Sequence, residues 1–176
     1  MTNGQELSIR GTVSLEDFIK YNTHHLKKFT YSYFFFSFFV FWLMALLLEF
    51  LMPDNLLFTI PKAVLALIFS LILIYGVKKI LKKRVIKEYE SDQRIKNEIS
   101  YVIHREGIIQ QLKRSNNHYD WTDLHFAAEY EEMFLLYISK QKAIVLPKRF
   151  FESHDDISLF KELISKNIET SKIKIK

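Results

Sequence analysis

At 176 residues the chain has room for one modest soluble domain plus membrane segments, and not for two full globular domains. It contains no cysteine, which excludes disulfide scaffolds, thiol catalysis and cysteine-ligated zinc or iron–sulfur sites. The formal net charge of +5 does not point to nucleic acid, because six of the basic residues (Lys78, Lys79, Lys82, Lys83, Arg84 and Lys87) sit together directly after an apolar run. That position suits anionic lipid headgroups better than a phosphate backbone.

In chain order, Glu6–Val13 alternates polar and apolar residues and reads as a short strand. Ser14 lies three residues before Asp17, a capping arrangement, and opens a helix through about Lys28. Phe18, Tyr21, His25 and Phe29 recur along it at helical spacing, so residues 1–28 read as a cytoplasmic strand and helix that lead into the membrane.

A bilayer core of ~30 Å needs about 20 apolar residues at helical rise. Phe29–Leu48 is a stretch of 20 uncharged residues, and the first transmembrane helix is assigned to 29–52. No cleavable signal is expected there, since the run is long and lacks a small-residue cleavage site at its end. The second span is assigned to 56–81, with an uncharged stretch from Ala63 to Val77 and flanking Lys62, Lys78 and Lys79 able to snorkel. Pro53, Asp54 and Asn55 between the spans form a turn short enough to require a hairpin. The basic cluster after the second span, with Lys20, Lys27 and Lys28 before the first, places both termini in the cytoplasm. Ala63, Ala66 and Ser70 form a small-residue stripe on the second span, with Ala45 of the first expected near Ala66 and Ser37 somewhat below Ser70. Neither span carries an ionisable residue in its middle, which argues against charge-coupled transport.

Residues 82–96 continue as a charged helix or stalk. From 97 to 168 about six short strands with tight turns indicate an antiparallel sheet or barrel, closed by a helix that starts near Ser153 and Asp156. Ser115–Asn117 reads as a turn, Tyr119 and Trp121 as strand residues, Leu124 to Tyr130 as an alternating strand, and 169–176 as a basic tail. The fold class is therefore membrane α+β: a two-helix hairpin plus a cytoplasmic antiparallel β domain closed by a C-terminal helix.

The hairpin followed by Trp121-Thr122-Asp123-Leu124, Glu129, Phe134–Tyr137 and Ala143–Phe151 resembles the YcxB-like family of small bacterial membrane proteins. The resemblance implies a pleckstrin-homology-like C-terminal domain in a bacterial plasma-membrane protein, and carries over no activity.

Trp121, Asp123, Glu129, Pro147 and Phe150 are motif residues with an expected structural role: Pro147 stops a strand, and Phe150 or Phe151 plugs the sheet. Lys148 and Arg149 are candidate contacts to headgroups or an acidic partner, alongside Lys78, Lys79, Lys82, Lys83 and Arg84. The six histidines show no metal-ligand spacing, and no phosphate loop or nucleophile elbow is present. No catalytic residue, metal or cofactor is assigned. The expected role is a non-enzymatic adaptor or regulator that binds lipid headgroups, a protein partner or further copies of itself, with no nucleic acid. The alternative is an antimicrobial-peptide immunity factor acting through the hairpin.

Overall fold

The computed structural model describes residues 6–52, 60–93, 95–113 and 115–175, so the expected turn at Pro53–Asn55 lies outside the described residues. The chain divides into two units, Asn22–Glu88 and the segments Met1–Tyr21 and Tyr89–Lys176 together.

Strand β1 (Leu7–Gly11) is followed by helix α1 (Leu15–Leu51) and helix α2 (Lys62–Ser91). The capping read at Ser14 is realised in full. Asp17 N–H donates to Ser14 Oγ at 3.2 Å, while the Asp17 carboxylate accepts from Ser14 N–H at 2.7 Å. Two of the orphan donors at the helix start are thereby satisfied. No break separates cap helix from span, or the second span from the charged segment to Ser91: each pair is one continuous helix.

Within the helical unit α1 and α2 run antiparallel. Glu49 pairs with Lys62 at 2.9 Å, and the rings of Phe41 and Phe69 lie 5.6 Å apart. Both pairs fit one register, which sets Ala45 opposite Ala66 and Ser37 opposite Ile74. Ala45, Ala66, Ser37 and Ser70 are buried, with Ile74 beside them, while Ala63 is exposed and takes no part in the expected small-residue contact. The Ser37 and Ser70 hydroxyls donate to the carbonyls of Phe34 and Ala66, at 2.9 and 2.7 Å, and so leave no unmet polar group in the seam. Every large exposed hydrophobic residue among those described lies between Phe29 and Ile80. The two helices are long and apolar enough to cross a membrane.

The other unit holds two four-stranded sheets. The first has the order β1-β2-β3-β4, with β2 (Ile99–Ile103), β3 (Gly107–Leu112) and β4 (Ser115–Asp120) all antiparallel. The second has the order β7-β6-β5-β8, from β5 (Phe126–Glu129), β6 (Met133–Tyr137), β7 (Ala143–Pro147) and β8 (Ile173–Lys174). Helix α3 (His154–Asn167) starts on a capping box between Ser153 and Asp156 and buries Phe160, Leu163 and Ile164. Phe134 of β6 meets Phe160 edge-on at 5.0 Å, with Phe151 beside both. Strand β6 is buried throughout Met133–Leu136, the central strand its apolar run implied.

Four local readings are corrected. Ser115–Asn117 is strand, because Lys113 adopts φ 44° and turns the chain one step earlier. The polar run then pairs along the sheet edge through backbone bonds, which composition does not govern. Trp121 belongs to a 3-10 turn over Trp121–Asp123 rather than a strand. Alternation fails in β5, where Ala127 and Ala128 are both buried, since neighbours cover both faces of this inner strand. The presumed tail instead adds Ile173–Lys174 in parallel to the remaining edge of β5.

Candidate functional site

Two sets of basic residues were singled out in the sequence, and the structure treats them differently. On α2, Lys78, Lys79, Lys82, Lys83, Arg84 and Lys87 are all exposed. None of them makes an ion pair among the described residues. Extending the register of the helix pair brings Lys27 and Lys28, also exposed, level with Lys82–Arg84. The result is a collar of cations at one end of an apolar helix pair.

Lys148 and Arg149, by contrast, are engaged inside the β domain. They lie in a 3-10 turn that Pro147, itself fully buried, launches from the end of β7. The Lys148 ammonium pairs at 2.8 Å with Glu129 and sits 5.3 Å from the centre of the Phe134 ring. Glu129, with only 8 % of its side chain exposed, also meets Lys161 of α3 at 2.9 Å. One nearly buried carboxylate thus ties together β5, the turn after β7 and the closing helix, and its second cation offsets the cost of desolvation.

Arg149 makes the other half of the clasp. Its Nη1 and Nη2 donate to Asp17 Oδ1 and Oδ2, each at 2.5 Å, and Nη2 donates to the Thr12 carbonyl at 2.9 Å. This two-pronged geometry is the strong form of a carboxylate–guanidinium contact. Burial pushes the Asp17 carboxyl up, but the bonds from Arg149 and Ser14 outweigh it and hold the group below its ordinary 3.8. The same bond raises Arg149. Lys20 on the next turn bridges Glu16 and Glu132 at 2.9 and 2.8 Å, and its ammonium is raised mainly by Glu132. A cavity of about 420 Å³ opens among these groups, and every charge around it has an opposite charge within contact distance.

The remaining motif residues have structural roles. Trp121 is buried and its indole N–H donates to the His104 carbonyl at 3.1 Å. Asp123 caps the 3-10 turn by accepting from Asp120 N–H at 3.1 Å. Phe150 packs on Gly11 so closely that a Cβ there would stand 2.3 Å from the ring, which explains glycine at the end of β1. Among the described residues no group of three or more His, Asp or Glu is placed to hold a metal ion.

Asp17 was read only as a helix cap, and its pairing with Arg149 spans 132 positions of sequence. The signal for it was a buried-side acid at the third position of a helix and an arginine in the strongest motif, and no spacing rule connects the two.

Comparison with known proteins matches residues 103–164 to the family described as YcxB-like protein. A relative from Bacillus subtilis (strain 168), described as uncharacterized protein YcxB, is 31 % identical over 113 residues. The matched region is 64 % of this chain and 59 % of that relative, less than two thirds of the relative's length. No solved structure matches.

Proposed function

The chain is YcxB-like over residues 103–164, and from that premise we propose that it is a non-enzymatic bacterial membrane protein whose β domain serves as an adaptor. In this reading α1 and α2 span the plasma membrane, both termini lie in the cytoplasm, and the β domain, of pleckstrin-homology-like build, meets a partner protein. The observation that carries it is the partition of surface. Among the described residues, all large exposed apolar side chains fall between Phe29 and Ile80, and cations collar one end of that apolar stretch. An exposed apolar surface of this extent is stable in lipid and a liability in water. Each cation near an anionic leaflet contributes about 1 kcal/mol, which orients the collar inward.

The adaptor role is supported by the way the β domain uses its charges. The Asp17–Arg149 and Lys148–Glu129–Lys161 clusters link strand, turn and helix to one another, an arrangement that suits a rigid platform. The collar on α2, not Lys148 and Arg149, is then the headgroup contact.

The test is photo-cross-linking of the full-length protein in its host membrane, with the probe placed in turn on the β domain and on the helix pair. Specific capture from the β domain supports the adaptor reading. Capture of the protein by itself alone, or of a partner through the helices alone, rejects it. The latter result would favour a protection factor acting through the hairpin, for which the outward Phe35, Phe36 and Phe39 provide the surface.

A further inference from the structure

Sheet order leaves β7 bonded to β6 on one side only. The parity of its backbone is fixed at both ends. Lys148 N–H donates to the Glu132 carbonyl at 2.8 Å, and Ile138 N–H to the Lys142 carbonyl at 3.0 Å. Residues 142, 144, 146 and 148 therefore turn their backbone groups toward β6, and Ala143 and Val145 turn theirs away from it. Both are only half-buried. Among the described residues the outward Val145 N–H and C=O have no backbone partner, which leaves a two-bond ladder position that Pro147, lacking an N–H, ends.

Beside this edge lies a cleft of about 180 Å³, walled by Phe18, Ile99, Ile138 and Ile144. On its lining stands Tyr101, 2 % exposed, whose hydroxyl accepts from Gln110 Nε2 at 3.2 Å. The Tyr101 hydroxyl proton has no acceptor among the described residues, and burial pushes this phenol up to about 12, so it stays a donor at any physiological pH. The cleft is smaller than the roughly 300–1,000 Å³ of small-molecule sites. It has room for one bulky apolar side chain. The one charged side chain that lines the cleft is Lys142, which is exposed and makes no ion pair among the described residues.

We infer that this cleft docks an extended, acidic segment of a partner protein, which adds as a strand to β7 at Val145 and seats one large apolar side chain against Tyr101. The inference rests on the adaptor reading and gives it a site and a partner chemistry. Strand addition takes its affinity from main-chain bonds and its specificity from alternate side-chain pockets, and both are present here. Among the other edges, β4 presents Ser115–Asp120, polar and exposed except at Tyr119, and is a blunted edge. A headgroup site would need clustered cations, whereas this cleft is apolar with a single lysine on its wall.

The test uses the full chain in nanodiscs with an isotope-labelled backbone, and two synthetic peptides, acetyl-Glu-Val-Phe-Val-Glu-amide and its lysine-flanked counterpart. The acidic peptide should slow exchange of the Val145 amide by about tenfold or more and bind about tenfold more tightly than the basic one. Val145→Pro removes the outward N–H at an edge position where proline is tolerated, and should abolish binding. Lys142→Glu, an exposed change that leaves folding intact, should reverse the preference between the peptides. No binding by either peptide, binding without protection of Val145, or displacement of the acidic peptide by phosphatidylglycerol vesicles would each overturn the inference. The two readings fail separately. Membrane cross-linking that captures a partner equally well with Val145→Pro removes this site and keeps the adaptor; peptide binding as expected with no captured partner removes the adaptor.

Discussion

The two units use phenylalanine in opposite ways. In the helical unit Phe36 is 66 % exposed and Phe50 83 %, whereas in the β domain Phe134 and Phe160 are 0 % exposed. Residue type alone does not set burial. The β domain must hide its rings from water, and it does so by edge-on stacking of Phe134, Phe151 and Phe160 beneath α3. The helix pair buries instead the small residues Ala45, Ala66, Ser37 and Ser70, because side-chain size limits how near two helix backbones can come.

The contrast breaks first, if it breaks, at those rings. Phe160→Ala should cost the β domain about 3–5 kcal/mol by chemical denaturation, the usual price of emptying an aromatic core position. Phe36→Ala should stay within about 0.5 kcal/mol in the same measurement. Equal losses would mean that the helix surface is covered by protein rather than lipid.

Gly11→Ala comes next. The added methyl meets the Phe150 ring at 2.3 Å, so ring and strand must part, at about 1–3 kcal/mol. A thermal midpoint equal to that of the unmodified chain would show that Phe150 moves freely and is not the plug of the sheet.

Asp17→Asn sharpens the comparison through pH. Because the folded Asp17 carboxyl titrates below its ordinary value, its contribution is complete above about pH 4. It is lost as pH falls through the lowered folded value. The variant should be less stable at pH 7 by about 1–2 kcal/mol, since Arg149 is half exposed and screened. Its stability should also fall less steeply below pH 4 than that of the unmodified chain. Parallel curves would show that the Asp17–Arg149 clasp does not contribute to folding.

The smallest effect on folding is expected at the collar. Replacing Lys82, Lys83 and Arg84 by alanine should leave the denaturation midpoint of the β domain unchanged within about 0.5 kcal/mol. Photo-cross-linking yield to anionic lipids at that end of the helices should drop in the same variant. A changed midpoint with unchanged lipid contact would reverse the roles assigned to the two basic sets.

Much of this was legible in the sequence for simple reasons. Twenty uncharged residues in a row, a Ser-x-x-Asp start and a Pro after an apolar strand each act locally, so their meaning survives without neighbours. What was not legible depended on distant partners. Glu129 acquires its role from Lys148 and Lys161, and Asp17 from Arg149, none of them a sequence neighbour. Ser115–Asn117 looked like a turn because its side chains favour one, yet the left-handed Lys113 had already made the turn. Ile173–Lys174 carried only a brief Lys/Ile alternation, which suits an edge strand or a tail alike, and its parallel pairing with β5 makes it strand.

The pairing of β1 with β2 also sets an order of manufacture. Leu7–Gly11 leaves the ribosome before its partners Ile99–Ile103, which follow only after both long helices. At ~5–20 residues per second, synthesis of that intervening stretch takes about 4–20 s. During that interval Leu7 and Ile9 have no sheet to enter and α1 has no Arg149 to clasp its first turn. Strand β1 therefore waits longer for its sheet neighbour than any other described strand, and both long helices are made while Leu7–Gly11 is still unpaired.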